Sequence, residues 1–347
     1  MKQVIFIVMA LVTCLVAMPV SAEPLSMATG YGDMSLGSLG FIGFAGLIVN
    51  KESVSAAFVS LKTIFNNAFE TTDAQWQLTA MKVTSNTSEN SYKWLSRFPK
   101  MRRWLGDKHF KLLKAFSYTI VNEDWEATVA VDRNDIDDDL LGQYSPQAQD
   151  AGYSAKTLPD DIVDELKNKA FTAKCYDKKA FYATDHKVGK QTFSNKGTAP
   201  LSNATLAAAT ASFGAARLAI TSIKDEDGRA LKLLPGVLEV PPAVETVANQ
   251  LMTNDKLADD KPNPYKGMAT VLVNPGIESA TQWMLHVTNR PIKPFIFQER
   301  KAPVFVSQTS MENDDVFNRK EFKFGAEARA AGGYGLWQMS YGSTGAG

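Results

Sequence analysis

Apolar residues recur every three or four positions in the first regularly patterned segment of the chain, which begins after Asn50. The stripe consists of Val54, Phe58, Leu61, Phe65 and Phe69. This spacing predicts an amphipathic helix, for which Asn50 is a suitable N-cap. Such a stripe is most often a core face. A docking face for a neighbouring subunit is the less common alternative.

Three patterned segments follow in the first half of the chain. The stretch "WQLTAMKV" predicts a short strand. "SYTIVNEDWEATVAVDR" contains two alternating runs, which predict two strands joined by a turn at residues 122–124. Ser145 and Pro146 then open a helical stretch that we expect to be interrupted at Pro159 and to end near Phe171.

The second half of the chain mixes helical and strand patterns. An alanine-rich helix is predicted from Asn203 through "ATLAAATASFGAARLAI", and another helix from "AVETVANQLM". Between them, "LKLLPGVLEVPP" supplies a strand, a turn and a stop. "ATVLVNP" is nearly all apolar, which is typical of a fully buried strand. From Ser279 onward the strand pattern dominates, and without a regular βαβ repeat the sequence predicts an α+β fold.

The chain closes on a glycine-rich aromatic segment, "RAAGGYGLWQMSYG", at residues 329–342. Apolar and polar residues alternate here in the order Trp337, Gln338, Met339, Ser340 and Tyr341. This is the period of a strand with one buried face. Three glycines remove side chains where the backbone turns or approaches another backbone closely: Gly332, Gly333 and Gly335. Terminal segments are loose unless they are packed, so we expect a strand built into the structure.

The first 22 residues have the layout of a secretory signal peptide. Lys2 precedes an apolar run from Val4 to Val16, and small residues end at Ala22, the predicted cleavage position. An upstream extension is the alternative. Residues 23–49 are rich in Gly, Ser and Met, which indicates a linker.

Basic and aromatic residues are interleaved between Tyr92 and Phe116, in "YKWLSRFPKMRRWLGDKHFKLLKAF". This mixture fits a nucleic-acid-binding surface. It equally fits an extended hairpin whose aromatic residues pack on another chain, because aromatic residues and Arg are favoured at interfaces. A solvated loop is a third interpretation.

Composition limits the possible functions. The chain has 347 residues, 45% hydrophobic and 21% charged, as expected of a globular protein. Lys and Arg balance Asp and Glu at 37 each, so net charge gives no reason to expect binding to nucleic acid or to a membrane surface. Beyond the first segment, Cys175 is the single cysteine; it cannot form an internal disulfide, and cysteine poverty fits a reducing compartment.

The sequence contains no recognisable catalytic motif. Phosphate loops, nucleophile elbows and zinc-protease or redox signatures are absent from it. Asp185 and His186 are half of a possible base-orienter pair, but no nucleophile is identifiable beside them, and a structural histidine is the favoured interpretation. The acidic run at residues 135–139 lacks the glycine and glutamate of a calcium loop, and helix capping explains it better. We expect no enzyme activity, no cofactor and no metal.

Several segments together resemble the Mu-like phage major head subunit family. They include "YKWLSRFPKMRRWLGDK", "YTIVNEDWEATVAVDRNDIDDDLLGQYSP", "CYDKKAFYATDH" and "RAAGGYGLWQM". The resemblance extends from about Leu47 to Tyr341. It implies the Hong-Kong-97-type fold of tailed-phage major capsid subunits, with an N-terminal arm, an extended loop, a peripheral domain with a spine helix, and an axial domain.

The resemblance also implies where these parts lie in a head subunit domain at residues 50–347. They are the arm (50–72), the extended loop (85–117), the main part of the peripheral domain (118–200), the main part of the axial domain (201–275) and the return strands to a shared sheet (276–347). The implied inter-subunit residues are Trp94, Phe98, Arg102, Arg103 and Trp104.

The implied function is a structural head protein that self-assembles, through pentamers and hexamers, into an icosahedral shell around phage or prophage DNA. The implied partners are other copies of the chain, a scaffolding protein, a head protease and double-stranded DNA held by weak contacts, with no small-molecule substrate. The implied location is the virion, after assembly in the host cytoplasm. An exported, non-enzymatic binding or surface protein is the alternative if the signal-like segment is genuine.

Overall fold

The computed structural model describes residues 51–96, 118–138 and 140–347. The signal-like segment and the predicted linker therefore lie outside the described residues. Within them, the α-helices are α1 (Lys51–Thr71), α2 (Arg133–Asp137), α3 (Ser145–Lys169), α4 (Leu206–Ala209), α5 (Ala215–Thr221), α6 (Glu245–Thr253) and α7 (Asp314–Arg319). None of these helices is long and apolar enough to span a bilayer.

The strands form two main sheets and two short ribbons. Their bounds are β1 (Ala80–Thr84), β2 (Glu89–Ser91), β3 (Thr119–Val121), β4 (Glu123–Asp132), β5 (His186–Val188), β6 (Gln191–Phe193), β7 (Lys196–Gly197), β8 (Val237–Val240), β9 (Thr270–Val273), β10 (Trp283–His286), β11 (Phe295–Gln308), β12 (Glu321–Tyr334) and β13 (Ser340–Ser343). The sheet orders are β1-β11-β12-β4 and β7-β13-β10-β8-β9, and the ribbons are β2-β3 and β5-β6. Both main sheets mix parallel and antiparallel pairs. The predicted α+β organisation is confirmed.

Helix α1 packs its apolar stripe into the core of the described chain. Val54, Phe58, Leu61 and Phe65 are each at most 4% exposed. The Phe58 ring meets the rings of Phe322 and Phe324 on β12 edge to face, with centroids 6.3 and 5.9 Å apart. The core-face interpretation of the stripe is therefore correct.

Helix α3 is continuous through Pro159, so the predicted interruption is wrong. Proline in a helix removes one backbone hydrogen bond, at a cost of about 3 kcal/mol. Buried residues on both sides of the proline, Ala155 before it and Ile162 and Val163 after it, hold the helix against the core. Packing along the whole helix offsets the local defect.

Residues 122–124 do not form the predicted turn. The strands on either side, β3 and β4, belong to different sheets: β3 pairs with β2, and β4 pairs with β12. Only Asn122 separates them. Its buried side-chain amide donates hydrogen bonds to Ser85 Oγ at 2.9 Å and Thr87 O at 2.8 Å, and its backbone N–H donates to Ser88 O at 2.9 Å.

Two details of the second half also differ from expectation. The alanine-rich helix begins at Leu206 rather than at Asn203, with Thr205 as its cap, and a π-helical turn at Thr210–Gly214 separates α4 from α5. Strand β9, predicted to be fully buried, lies at the edge of the five-stranded sheet and is only partly buried. An edge strand is covered by a neighbour on one side only, so its apolar residues keep some exposure.

The closing segment is ordered, as predicted, but it is not one strand with one buried face. A 3₁₀ turn at Trp337–Met339 precedes β13, and Gln338 and Ser340 are as buried as their apolar neighbours. Strand β13 lies inside the five-stranded sheet, between β10 and β7. Because this strand is interior, its polar side chains are enclosed as well, and Ser340 Oγ pairs with the Tyr182 hydroxyl at 2.7 Å.

Candidate interaction site

Trp94 is the only one of the five predicted interface residues that the structure describes. Its side chain is 36% exposed, and its ring meets the Tyr92 ring edge to face at 6.2 Å. Phe98, Arg102, Arg103 and Trp104 lie outside the described residues. Their role stays a prediction.

The segment that contains these residues starts and ends on one ribbon. Strands β2 and β3 are antiparallel neighbours, with Glu89 opposite Val121 and Ser91 opposite Thr119. The backbone N–H of Tyr92 continues the ladder by donating to the carbonyl of Tyr118 at 2.8 Å. Tyr92 and Tyr118, which flank residues 93–117, therefore lie side by side at the end of the ribbon.

A buried polar network fixes this ribbon to β11. The Gln298 side chain is fully buried; its Oε1 accepts from the Tyr92 hydroxyl at 2.7 Å, and its Nε2 donates to Asn122 Oδ1 at 2.7 Å and to the Ile120 carbonyl at 3.2 Å. Burial raises the pKa of Tyr92 to about 12, so the hydroxyl keeps its proton at neutral pH. The network sets the direction in which the ribbon leaves the sheet.

Other large apolar side chains are exposed at places that the sequence did not single out. Phe317 on α7 is 85% exposed and lies at the turn between β11 and β12; Leu218 on α5 is 68% exposed. Val316, the preceding residue on α7, is buried, so α7 buries one of two consecutive apolar residues and exposes the other. The consecutive apolar pair was the available signal.

Asp185 and His186, which the sequence offered as half of a possible base-orienter pair, do not pair with each other in the structure. Asp185 forms an ion pair with the exposed Lys179. His186 is fully buried, stacks on Trp337 with ring centroids 4.1 Å apart, and meets Asp177 Oδ2 through Nδ1 at 2.6 Å. The structural interpretation of this histidine fits its burial.

Cys175, Asp177 and His186 form a cluster of metal-ligand types that sequence spacing did not reveal, with ligand atoms within 4.8 Å of one another. The Cys175 thiol donates to Asp177 Oδ1 at 3.1 Å. Burial, together with the Asp177 charge, raises the pKa of this thiol well above its ordinary value. The three groups are thus each other's hydrogen-bond partners, and a protonated, buried thiol is a poor nucleophile.

A second buried cluster joins α3 to the five-stranded sheet. His286 lies between Ser340 Oγ and Glu239 Oε2, at 2.9 Å from each, and all three residues are fully buried. Lys167 Nζ donates to Glu239 Oε1 at 2.7 Å. Burial alone raises a carboxyl pKa, but the Lys167 charge and the His286 hydrogen bond outweigh it and lower the pKa of Glu239 to about 2. Ser340 therefore has the hydrogen-bond partners of a hydrolase nucleophile, but it is fully buried and a substrate cannot reach it.

The acidic run near α2 contributes to local structure. Asp132 caps the helix by accepting the Asn134 N–H at 2.7 Å. The Asp135 carboxylate accepts from the Tyr144 hydroxyl. The cap comes from Asp132, which precedes the acidic run, while Asp135 lies in the first turn of α2 and Asp139 lies outside the described residues.

Comparison with known proteins identifies relatives over almost the whole described chain. The family model for the Mu-like prophage major head subunit gpT matches residues 54–213, 199–277 and 273–346. The major capsid protein of Escherichia phage Mu is 29% identical over 294 residues, which cover 85% of this chain and 74% of the relative. The Mu-like prophage FluMu major head subunit of Haemophilus influenzae is 28% identical over 293 residues, with 84% and 73% covered. Among solved structures, the procapsid of bacteriophage JBD30 matches with a TM-score of 0.54 and 27% identity over 85% of this chain and 76% of that chain.

Proposed function

The chain belongs to the Mu-like prophage major head subunit family, and from that premise we propose that it is a structural head protein that self-assembles into the icosahedral shell enclosing phage or prophage DNA. The observation that carries the proposal is the family match, which runs from residue 54 to residue 346. The predicted tailed-phage major capsid fold is confirmed by the similarity to the JBD30 procapsid. Family membership favours this function over an exported binding protein.

The proposed partners follow from the same premise. Other copies of the chain form pentamers and hexamers, and a scaffolding protein and a head protease act during assembly in the host cytoplasm. Packaged DNA meets the shell through weak, sequence-independent contacts, because the chain carries equal numbers of basic and acidic residues. The role is structural rather than enzymatic.

The extended loop is the proposed contact with the neighbouring subunit. Its described base, the β2-β3 ribbon, is rigidly attached to β11, and Trp94 is already 36% exposed. Aromatic anchors dominate the energy of stable interfaces. Trp94, Phe98 and Trp104 would supply those anchors, with Arg102 and Arg103 pairing charges at the rim.

Sedimentation of purified protein tests this function. Permanent interfaces between subunits bury on the order of 2,000 Å² or more, so a head subunit supplied with its scaffolding protein forms particles far larger than any small oligomer. A protein that stays at the mass of one chain, 38.0 kDa, under those conditions contradicts the proposal.

A further inference from the structure

Cys175, Asp177 and His186 bring three kinds of zinc ligand together beside a hairpin at residues 174–180. An isolated antiparallel bridge between the first and last residues closes this hairpin, and His186 is the first residue of β5. The thiol sulfur, a carboxylate oxygen and a ring nitrogen lie within 4.8 Å of one another. Zinc bonds to these atoms are about 2.0–2.3 Å long, so one ion reaches all three ligands after movements of less than about 1 Å.

The partners of the His186 ring leave a place for a cation at Nδ1. Nε2 lies 3.2 Å from the Phe181 carbonyl oxygen, and Nδ1 lies 2.6 Å from Asp177 Oδ2. Burial alone raises the pKa of Asp177, but its hydrogen bond to His186 and the charge of that ring outweigh burial and lower the pKa. A carbonyl and an ionised carboxylate only accept hydrogen bonds. The Nε2 proton therefore points to Phe181, and the contact between Nδ1 and Asp177 requires either a second proton or a metal ion.

The ring is held in the orientation that a metal ligand needs. A metal-binding histidine usually donates its other ring N–H to a backbone carbonyl or a carboxylate, which fixes the tautomer and the direction of the ring. The Phe181 carbonyl serves this purpose, and it also accepts from Asn195 Nδ2 at 2.8 Å. Trp337 stacks on the His186 ring with an angle of 8° between the two planes. Nδ1 is thus directed at the cluster by groups that are not themselves ligands.

From this geometry we propose that Cys175, Asp177 and His186 bind a zinc ion. The ligand atoms are the thiol sulfur, an Asp177 carboxylate oxygen and Nδ1 of His186, and a water molecule or the second carboxylate oxygen completes the four positions that zinc prefers. Magnesium and calcium prefer oxygen ligands alone, so a sulfur and a nitrogen in the set favour zinc. Spacing along the sequence predicted no metal, because the fold and not a short motif brings these ligands together.

Zinc binding changes the state of the thiol. Burial and the Asp177 charge raise the pKa of Cys175, so without a metal the thiol keeps its proton and donates to Asp177 Oδ1 at 3.1 Å. A divalent cation reverses this effect, and a coordinating thiol loses its proton. The thiol proton, together with any proton on Nδ1 of His186, is released to solvent as the ion binds. The Asp177 side chain is 15% exposed and marks the side from which the ion enters.

The ion would join the 174–180 hairpin to β5 beneath Trp337 of the closing segment. Cys175 is the only cysteine after residue 22, so no disulfide within that part of the chain can make this connection. Metal binding to a folded site adds to the free energy of unfolding. The site lies within one subunit, so its test does not require assembly.

Metal analysis of the purified full-length chain tests the proposal. Protein expressed with added zinc and then desalted should carry about one zinc ion per chain, and a chelator should lower its melting temperature until zinc is restored. Cobalt in place of zinc should produce a sulfur-to-cobalt charge-transfer band and the visible bands of a tetrahedral site. A chain that holds less than about a tenth of an equivalent of zinc, and whose melting temperature does not respond to added zinc, overturns the proposal. Bound metal without the charge-transfer band places the ion away from the thiol and also overturns it.

Matched variants locate the ligands. Cys175→Ser should abolish the charge-transfer band, and Asp177→Asn and His186→Gln should each weaken zinc binding about tenfold or more. Asp185→Asn is the control, because Asp185 pairs with the exposed Lys179 and not with the cluster, and this variant should bind zinc as the wild type does. Full zinc binding by Cys175→Ser contradicts the assignment. The cobalt spectrum of the wild-type chain decides the question even if a variant fails to fold.

Discussion

Gln298 accepts a hydrogen bond from the Tyr92 hydroxyl at 2.7 Å, and this contact ties the buried start of β11 to the residue that follows β2. The two residues are 206 positions apart in the chain. Their pairing means that the loop base is fixed by the sheet and not by local sequence. Rigid support of this kind positions a binding segment better than a flexible attachment does.

Replacing Gln298 with leucine tests the contribution of this contact. The Tyr92 hydroxyl and the Asn122 Oδ1 atom would lose their hydrogen bonds to Gln298, and each buried unsatisfied group costs about 1–3 kcal/mol. Urea unfolding should show a loss of that size, and assembly should fail even where the subunit remains folded. Gln308→Leu, at an exposed position of the same strand, should change stability by less than about 0.5 kcal/mol. Equal effects of the two substitutions would contradict the positioning role.

The loop aromatics are expected to matter for assembly and not for folding. Replacing both Trp94 and Trp104 with alanine should leave the melting temperature of the isolated subunit nearly unchanged and prevent or weaken shell formation. Trp283→Ala is the matched control, because Trp283 is fully buried and its truncation should cost about 3–5 kcal/mol of stability. A collapsed melting temperature in the double variant, with no separate assembly defect, would refute the loop assignment.

The lowered pKa of Glu239 predicts that the folded subunit loses stability in acid. Its pKa is about 2 in the folded chain, below its ordinary value of 4.5, so its contribution is complete above pH 4.5 and is lost as the pH falls towards 2. The shift corresponds to about 3 kcal/mol, since one pKa unit is worth about 1.4 kcal/mol. The measurement is the free energy of unfolding against pH in the wild-type chain, where Lys167 pairs with Glu239. Adding Glu239→Gln should flatten the curve in that range; an unchanged slope contradicts the assignment.

Gly332 allows β12 to lie against α3. A Cβ at this position would come within 2.6 Å of Ile162 Cγ2 and 2.8 Å of Leu166 Cδ1. Gly332→Ala should therefore lower the free energy of unfolding by about 1–3 kcal/mol, the usual cost of overpacking. Gly142→Ala is the control, since nothing lies within 4 Å of a Cβ there. Similar melting temperatures for the two variants would contradict this packing argument.

The spacing of apolar residues correctly predicted the elements that bury only one face. The stripe on α1 is an example, because a helix packed on one side needs apolar residues at every third or fourth position. The closing segment was predicted to be ordered for a similar reason. Its enclosure on both faces could not be predicted, because alternation with Gln338 and Ser340 says nothing of the hydrogen bonds that let polar side chains be buried.

Contacts between distant residues explain the remaining differences. Asn122 separates β3 from β4 without making a turn, and its side-chain amide donates to Ser85 and Thr87, 37 and 35 positions away. His186 pairs with Asp177 rather than its neighbour in sequence, and Glu239 accepts hydrogen bonds from Lys167 and Asn274, which lie on different elements. Pairings of this kind depend on the whole fold, so local patterns reveal the residue types and not the partners.

Negative-stain electron microscopy of the protein expressed with its scaffolding partner tests the central claim most directly. A head subunit should produce closed, uniform shells, and pelleted particles should contain this chain as their main component. The Trp94 and Trp104 double variant should yield folded subunits and few or no shells under the same conditions. Fields of monodisperse monomer from the wild-type chain, at high concentration and with scaffold present, would contradict the account.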